Sequence, residues 1–183
     1  AQHVIRLDPG LAFGTGTHPT TRMCLRWMAH HTTAVRGRRT LDYGCGSGIL
    51  AIAARLLGSG DADAVDIDPA AVQATGRNAQ DNRVQLRAGL PDAAHGPYEL
   101  VLANILASPL KLLAPLLGSH LAPGGQLLLA GILARQAGEL QAAYADVAPG
   151  LTLAVLDEEE GWVLMGGQRA AMGGTQPPTP AQG

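Results

Sequence analysis

The sequence predicts an α/β fold, a mostly parallel sheet with helices on both faces. Three features carry that prediction. Short apolar runs alternate with amphipathic or Ala-rich stretches from Thr40 to Val147. A glycine-rich turn, Gly44-Cys45-Gly46-Ser47-Gly48, separates the first run from an apolar helical stretch. The run Tyr98–Ala103 is mostly apolar, as a centre strand covered on both faces should be.

Residues 1–21 are rich in Gly, Pro and Thr and read as a loop. Thr20 or Thr21 can cap the helix behind it, whose apolar face is Met23, Leu25, Trp27 and Met28. Thr40–Tyr43 is a short strand, Ile49–Leu57 a helix and Ala62–Asp66 a second strand. Asp68-Pro69 opens the next helix, with Asp as N-cap and Pro at the first helical position, and that helix runs to Asn82. Val84–Arg87 is a weak strand. Ala107–Leu121 reads as one helix, although Pro109 and Pro115 constrain it. Pro123-Gly124-Gly125 is a turn before a strand at Gln126–Ala130, and Ala134–Val147 is helical. Leu151–Leu156 and Trp162–Met165 flank an acidic turn, Asp157–Glu160, and should pair as an antiparallel hairpin. The expected domain is 1–169, followed by a Gly/Pro-rich disordered tail, 170–183.

The 183 residues suffice for one domain with a full core. Only 15% are charged and the formal net charge is -2, which argues against a protein that binds by neutralising phosphates. No direct nucleic-acid partner is therefore expected. The one dense basic cluster, Arg36, Arg38 and Arg39, reads as a solvated loop before a strand. Cys24 and Cys45 have no metal-like spacing and make no disulfide framework, which suits a reducing cytoplasm. No apolar run reaches the roughly 18 residues of a spanning helix, so no membrane partner is expected.

A strand, a Gly-x-Gly-x-Gly turn and a helix make a nucleotide-type site, because glycine accepts positive φ and lets a ligand touch bare backbone. Dinucleotide sites prefer a third glycine one position later, where Ile49 stands here. There is no P-loop motif either. Asp66, at the end of the second strand, is placed to accept from both hydroxyls of a ribose, while Asp68 has the local task of capping. Adenosine with a ribose diol fits NAD, FAD and S-adenosylmethionine, and composition does not separate them.

Leu41-Asp42-Tyr43-Gly44-Cys45-Gly46-Ser47-Gly48 and Val65-Asp66-Ile67-Asp68-Pro69 resemble the first two motifs of class I S-adenosylmethionine methyltransferases. Phe13-Gly14-Thr15-Gly16-Thr17-His18-Pro19-Thr20-Thr21, Ala103-Asn104-Ile105-Leu106-Ala107-Ser108-Pro109-Leu110 and Gly161-Trp162 narrow the resemblance to the ribosomal protein L11 methyltransferases. It covers Ile5 to Arg169. It implies a Rossmann-like, seven-stranded, mostly parallel sheet with a terminal antiparallel hairpin. It implies S-adenosylmethionine as cofactor and methylation of lysine ε-amino and N-terminal α-amino groups of a large-subunit ribosomal protein in the cytoplasm. By position it puts cofactor contacts on Thr21, Gly44, Asp66 and Asn104. It also implies a small N-terminal recognition domain ahead of this region, so the chain reads as the catalytic domain.

Given that cofactor, Gly46 joins Gly44 in the binding loop, and residues 1–21 are expected to fold over its methionine end with the hydroxyls of Thr15, Thr17 and Thr21. Asn104, at the end of the centre strand, is the candidate catalytic residue: its amide oxygen can accept from an amine N–H and aim the lone pair, but cannot take the proton. The alternative is a strand-end Asn that caps the next turn. His18 braces the loop, with a role as base the alternative. The competing functions are methyl transfer to RNA or a small amine, and a cofactor-binding module inactive without its recognition domain.

Overall fold

In the strand Tyr98–Asn104, successive side chains enter opposite cores, which is why this strand must be apolar on both faces. Leu100 and Leu102 join one buried cluster, and Val101 and Ala103 the other. The structure, a computed structural model, describes residues 5–6 and 17–171. Its strands are β1 (Thr40–Tyr43), β2 (Ala62–Val65), β3 (Arg87–Gly89), β4 (Tyr98–Asn104), β5 (Leu121–Leu133), β6 (Ala154–Glu159) and β7 (Trp162–Gln168). They form one seven-stranded sheet in the order β3-β2-β1-β4-β5-β7-β6. Pairing is parallel from β3 through β5, and β7 runs antiparallel between β5 and β6.

Helices α1 (Pro19–His30) and α2 (Ile49–Leu56) cover one face. Met23 and Met28 of α1 and Leu50 and Ala53 of α2 pack there with Leu100, Leu102 and Leu128. Helix α3 (Pro69–Asp81) lies beside α2 and against β2 and β3. Helices α4 (Ala107–Leu112), α5 (Ala114–His120) and α6 (Ala137–Tyr144) cover the other face. There Leu110, Leu117, Leu140 and Tyr144 meet Val101, Leu127 and Leu129. The Tyr144 hydroxyl donates to the carbonyl of Leu110 at 2.7 Å, so the buried phenol is satisfied and α6 is tied to α4.

Several elements differ from their sequence expectation, each for a local reason. The expected helix 107–121 is two helices: Pro115 cannot continue α4, and α5 restarts with Leu117 N donating to Leu113 O at 2.8 Å. Val84 is not in a strand. It closes α3 in a Schellman arrangement, with Arg83 at φ 55°, Arg83 N bonded to Gln80 O and Val84 N to Ala79 O. β3 therefore begins only at Arg87. Pro123–Gly125 is an irregularity inside β5 rather than a turn ahead of it. α6 is shorter than 134–147, its first residues forming a 3-10 turn.

The hairpin is shifted as well. Asp157, Glu158 and Glu159 belong to β6, and only Glu160-Gly161 makes the turn, both with positive φ as a tight hairpin requires. His18, not Thr20 or Thr21, caps α1, its ring accepting from Thr20 N. Asp68 caps α3 as expected, accepting from Ala70 N at 2.9 Å. Ala170, assigned to the tail, donates its N–H to Pro149 O at 2.8 Å, and 172–183 lie outside the described residues.

The basic cluster lies in the expected loop before β1, with Arg36 and Arg38 exposed, but two of its side chains are bound. Arg38 pairs with Glu99 at 2.9 Å, while Arg39 lies over the Tyr98 ring and reaches the buried carboxylate of Asp63, which Tyr98 and Arg87 also bind. These bonds fasten the N-terminal edge of the sheet. His31 is exposed and stacks on Trp27, and His120 sits half-buried against Tyr98.

Candidate functional site

The register of three neighbouring strands sets the site. Tyr43 pairs with Val65 on one side and with Ala103 on the other. Gly44, Asp66 and Asn104 are therefore each one residue past the same row, at the C-terminal edge of the parallel strands, with strands about 4.8 Å apart. The order reverses between β1 and β4, so the crevice opens where open α/β sheets bind ligands.

The glycine loop is folded by backbone geometry that side chains disfavour. Gly44, Gly46 and Gly48 have φ of 77°, 55° and 82°. Gly44 N and Cys45 N both donate to Val65 O, at 2.8 and 2.9 Å, which fastens the loop over β2. α3 holds it from the other side. Thr75 donates to Gly46 O at 3.0 Å and touches the Cys45 thiol at 3.3 Å, and Asn78 donates to Ser47 O at 2.9 Å. A Cβ on Gly48 would stand 2.7 Å from Thr75, so the loop sits against this helix as closely as bare backbone permits. Burial pushes the Cys45 thiol up to about 12, which keeps it a neutral packing group.

Asp66 completes the loop. Its Oδ2 accepts from Gly46 N at 3.0 Å and its Oδ1 from Asp68 N at 2.9 Å. Each oxygen keeps a second lone pair, and the residue is only half-buried. Asp68 spends its carboxylate on the α3 cap. Next to Asp66, Ile67 is 82% exposed, an apolar side chain with no core to join.

Asn104 lies between β4 and α1. Its Nδ2 donates to the buried hydroxyl of Thr21 at 3.2 Å. Its Oδ1 accepts no hydrogen bond among the described residues. Thr17 stands exposed ahead of α1, and Thr15 lies outside the described residues, as does most of the expected covering loop. His18 packs edge-on against Trp162, with ring centres 5.2 Å apart, which suits a bracing part.

Three residues at the site escaped sequence reasoning. Thr75 and Asn78 are polar and buried in α3, and their positions on one helix face were the available signal. Asp42, within the first motif, is 1% exposed and accepts from Ala51 N at 3.1 Å in the first turn of α2. Burial raises its carboxyl to about 7, and the nearby negative charge of Asp66 adds to that, against the opposing bond from Ala51.

The seven-stranded order, the terminal antiparallel strand and the glycine loop with its following acid define a class I methyltransferase fold. The family model described as "Ribosomal protein L11 methyltransferase (PrmA)" matches residues 1–170. The chain belongs to that family. It is 65% identical over 167 residues to a ribosomal protein L11 methyltransferase of a Polaromonas strain, covering 91% of this chain and 55% of that protein. To the one from Ralstonia nicotianae it is 54% identical over 169 residues, covering 92% and 55%. The chain thus spans about half the length of these curated relatives. Among solved structures, the ribosomal protein L11 methylase of Lactobacillus delbrueckii subsp. bulgaricus superposes with a TM-score of 0.80 at 34% identity, covering 91% of this chain and 85% of that one. A Pyrococcus furiosus methyltransferase shares the fold, with a TM-score of 0.68 at 15% identity and coverage of 91% and 88%. Among the described residues no helix is long and apolar enough to cross a membrane.

Proposed function

We propose that this chain binds S-adenosylmethionine at the ends of β1, β2 and β4 and directs its methyl group to lysine ε-amino and N-terminal α-amino groups of a large-subunit ribosomal protein. The observation that carries the reading is the single row of Gly44, Asp66 and Asn104 past the paired Tyr43, Val65 and Ala103. The residues fit the cofactor. The half-exposed Asp66 carboxylate has lone pairs for a ribose diol, Ile67 offers an apolar surface to a purine, and the positive-φ loop offers bare backbone. The site has Ile49 where pyrophosphate-binding loops have their third glycine.

When bound, the sulfonium supplies an electrophilic methyl group. The protein then has to hold and orient the amine. In this reading Asn104 Oδ1 accepts an amine N–H, while its Nδ2 donates to the Thr21 hydroxyl. An amide cannot take the proton, so the amine must arrive neutral. With a free lysine pKa of roughly 10.4, only about 0.1% is neutral near pH 7.4, and desolvation in the crevice raises that share. Alignment of this kind contributes on the order of 7–11 kcal/mol. Family membership supports the ribosomal protein substrate, and with it a cytoplasmic location. The engagement of Arg38 and Arg39 with Glu99 and Asp63 supports a protein rather than an RNA partner.

Calorimetry with S-adenosylmethionine, S-adenosylhomocysteine and NAD tests the cofactor. The first two should bind and NAD should not. Incubation of labelled cofactor with purified ribosomal proteins and with ribosomal RNA, followed by mass mapping, tests the substrate. Label appearing only in RNA would overturn the reading.

A further inference from the structure

We propose that the β6–β7 hairpin is a clamp that sets the Thr21–Asn104 contact, so that Asp157 and Glu159 are positioning residues for the transfer; this rests on the role given to Asn104 above. Arg26 donates from Nε at 3.1 Å and from Nη2 at 2.7 Å to one oxygen of Asp157. Arg22 donates from Nε to Glu159 at 3.3 Å and from Nη1 to the carbonyl of Thr17. Arg22 and Arg26 are four residues apart, hence on one face of α1, and both are bound by acids of β6. Trp162, the first residue of β7, meets His18, which caps the same helix. The first two turns of α1 are thus held by the hairpin on both sides of Thr21.

The hairpin and Asn104 share a frame. Asn104 pairs with Ala130 of β5, and three residues later Leu133 pairs with Trp162. The circuit closes from Asn104 through β5 to Trp162, through His18 and the acidic ladder to α1, and back through Thr21. Met23, Cys24 and Met28 already hold α1 on the sheet through apolar contact, which is non-directional. The ion pairs add direction, fixing how far α1 slides and turns. Their side chains are 27–41% exposed, so each pair alone adds little stability, and their effect lies in register.

The test compares Asp157→Asn with Glu159→Gln in one chain, the control Glu158→Gln, and the exchanged pair Arg26→Asp with Asp157→Arg. Glu158 is exposed on the same strand, so it controls for neutralising one acid of β6, half of the charge removed in the double variant. Two readouts are taken: hydrogen exchange of the Asn104 side-chain amide by NMR, and single-turnover methyl transfer at saturating cofactor. In the double variant the amide should exchange about tenfold faster and turnover should fall about tenfold, with the cofactor dissociation constant moving less than about twofold. The control should match the parent, and the exchanged pair should recover most of both losses. Unchanged amide exchange, an equal loss in the control, failure of the exchanged pair to recover, or faster exchange with normal turnover would each overturn the proposal. If the parent itself transfers no methyl to any amine, the functional reading fails, and the amide exchange still decides whether the clamp exists.

Discussion

The side-chain amide of Asn104 donates to the hydroxyl of Thr21 at 3.2 Å, joining the end of the centre strand to the first turn of α1. This one bond uses the nitrogen of the amide, and its oxygen accepts no hydrogen bond among the described residues. If that oxygen orients the amine, Asn104→Ala should lower turnover by a factor of roughly 10²–10³, about 2.7–4 kcal/mol, and weaken cofactor binding much less. Turnover should still climb through about pH 7–9 in parent and variant alike, as more amine becomes neutral. Cofactor titration beside single-turnover rates decides the matter. Normal turnover at saturating cofactor would make Asn104 a cofactor ligand only.

Thr21→Val keeps the shape of the buried side chain and removes the acceptor. An amide donor left unpaired in a partly buried place costs about 1–3 kcal/mol. The expected result is turnover reduced about 5- to 100-fold, with recovery in Thr21→Ser, where the hydroxyl returns. A Val variant as active as the parent would show that Asn104 orients itself without α1.

Asp66→Ala removes a carboxylate that both fastens Gly46 and faces the crevice. Hydrogen bonds to a charged group contribute about 1.5–3 kcal/mol, so cofactor affinity should fall roughly 10- to 100-fold. Calorimetry measures this, and circular dichroism should show the fold intact. An unchanged dissociation constant would move the ribose contact away from Asp66.

Asp42 makes stability depend on pH. Its carboxyl lies near 3.8 when exposed and at about 7 when buried in the fold, mainly because burial penalises the charge. The native state therefore holds a proton that the unfolded chain has lost. Its contribution is fully present below about pH 4, declines as pH rises, and is gone above about pH 7. Asp42→Asn keeps an acceptor for Ala51 N and removes the titration. Urea midpoints at about pH 5 and 8 should show the variant gaining on the parent at the higher pH. A difference independent of pH would refute the assignment.

Gly131 and Gly76 make opposite predictions. Gly131 has φ 89°, and a Cβ there would stand only 1.8 Å from the carbonyl oxygen of Ile105, next to Asn104. Gly131→Ala should cost about 3 kcal/mol or more, because backbone cannot yield as a side-chain tip can. Gly76, inside α3, has open space around its Cβ position. Gly76→Ala should stabilise by about 0.4–1 kcal/mol. Thermal midpoints of the two variants test both signs together.

Residues whose roles follow from near neighbours were legible in the chain itself. Asp68 before Pro69 caps a helix whatever surrounds it, and the Gly44–Gly48 turn needs positive φ wherever it lies. β1 could be bounded to the residue because the glycine turn stops it at one end. Long-range partners were not legible. Val84 reads as strand by composition, yet the end of α3 uses its N–H first. Asp157 and Glu159 read as part of an acidic turn until α1 places Arg26 and Arg22 opposite them. Asn104 shows the division most plainly. Its place at a strand end is a matter of sequence, but the partner of its side-chain amide, Thr21, lies eighty-three residues away. Capping and turn geometry act over a few residues and leave a local pattern, whereas a hydrogen bond across the fold has no partner until the sheet has assembled.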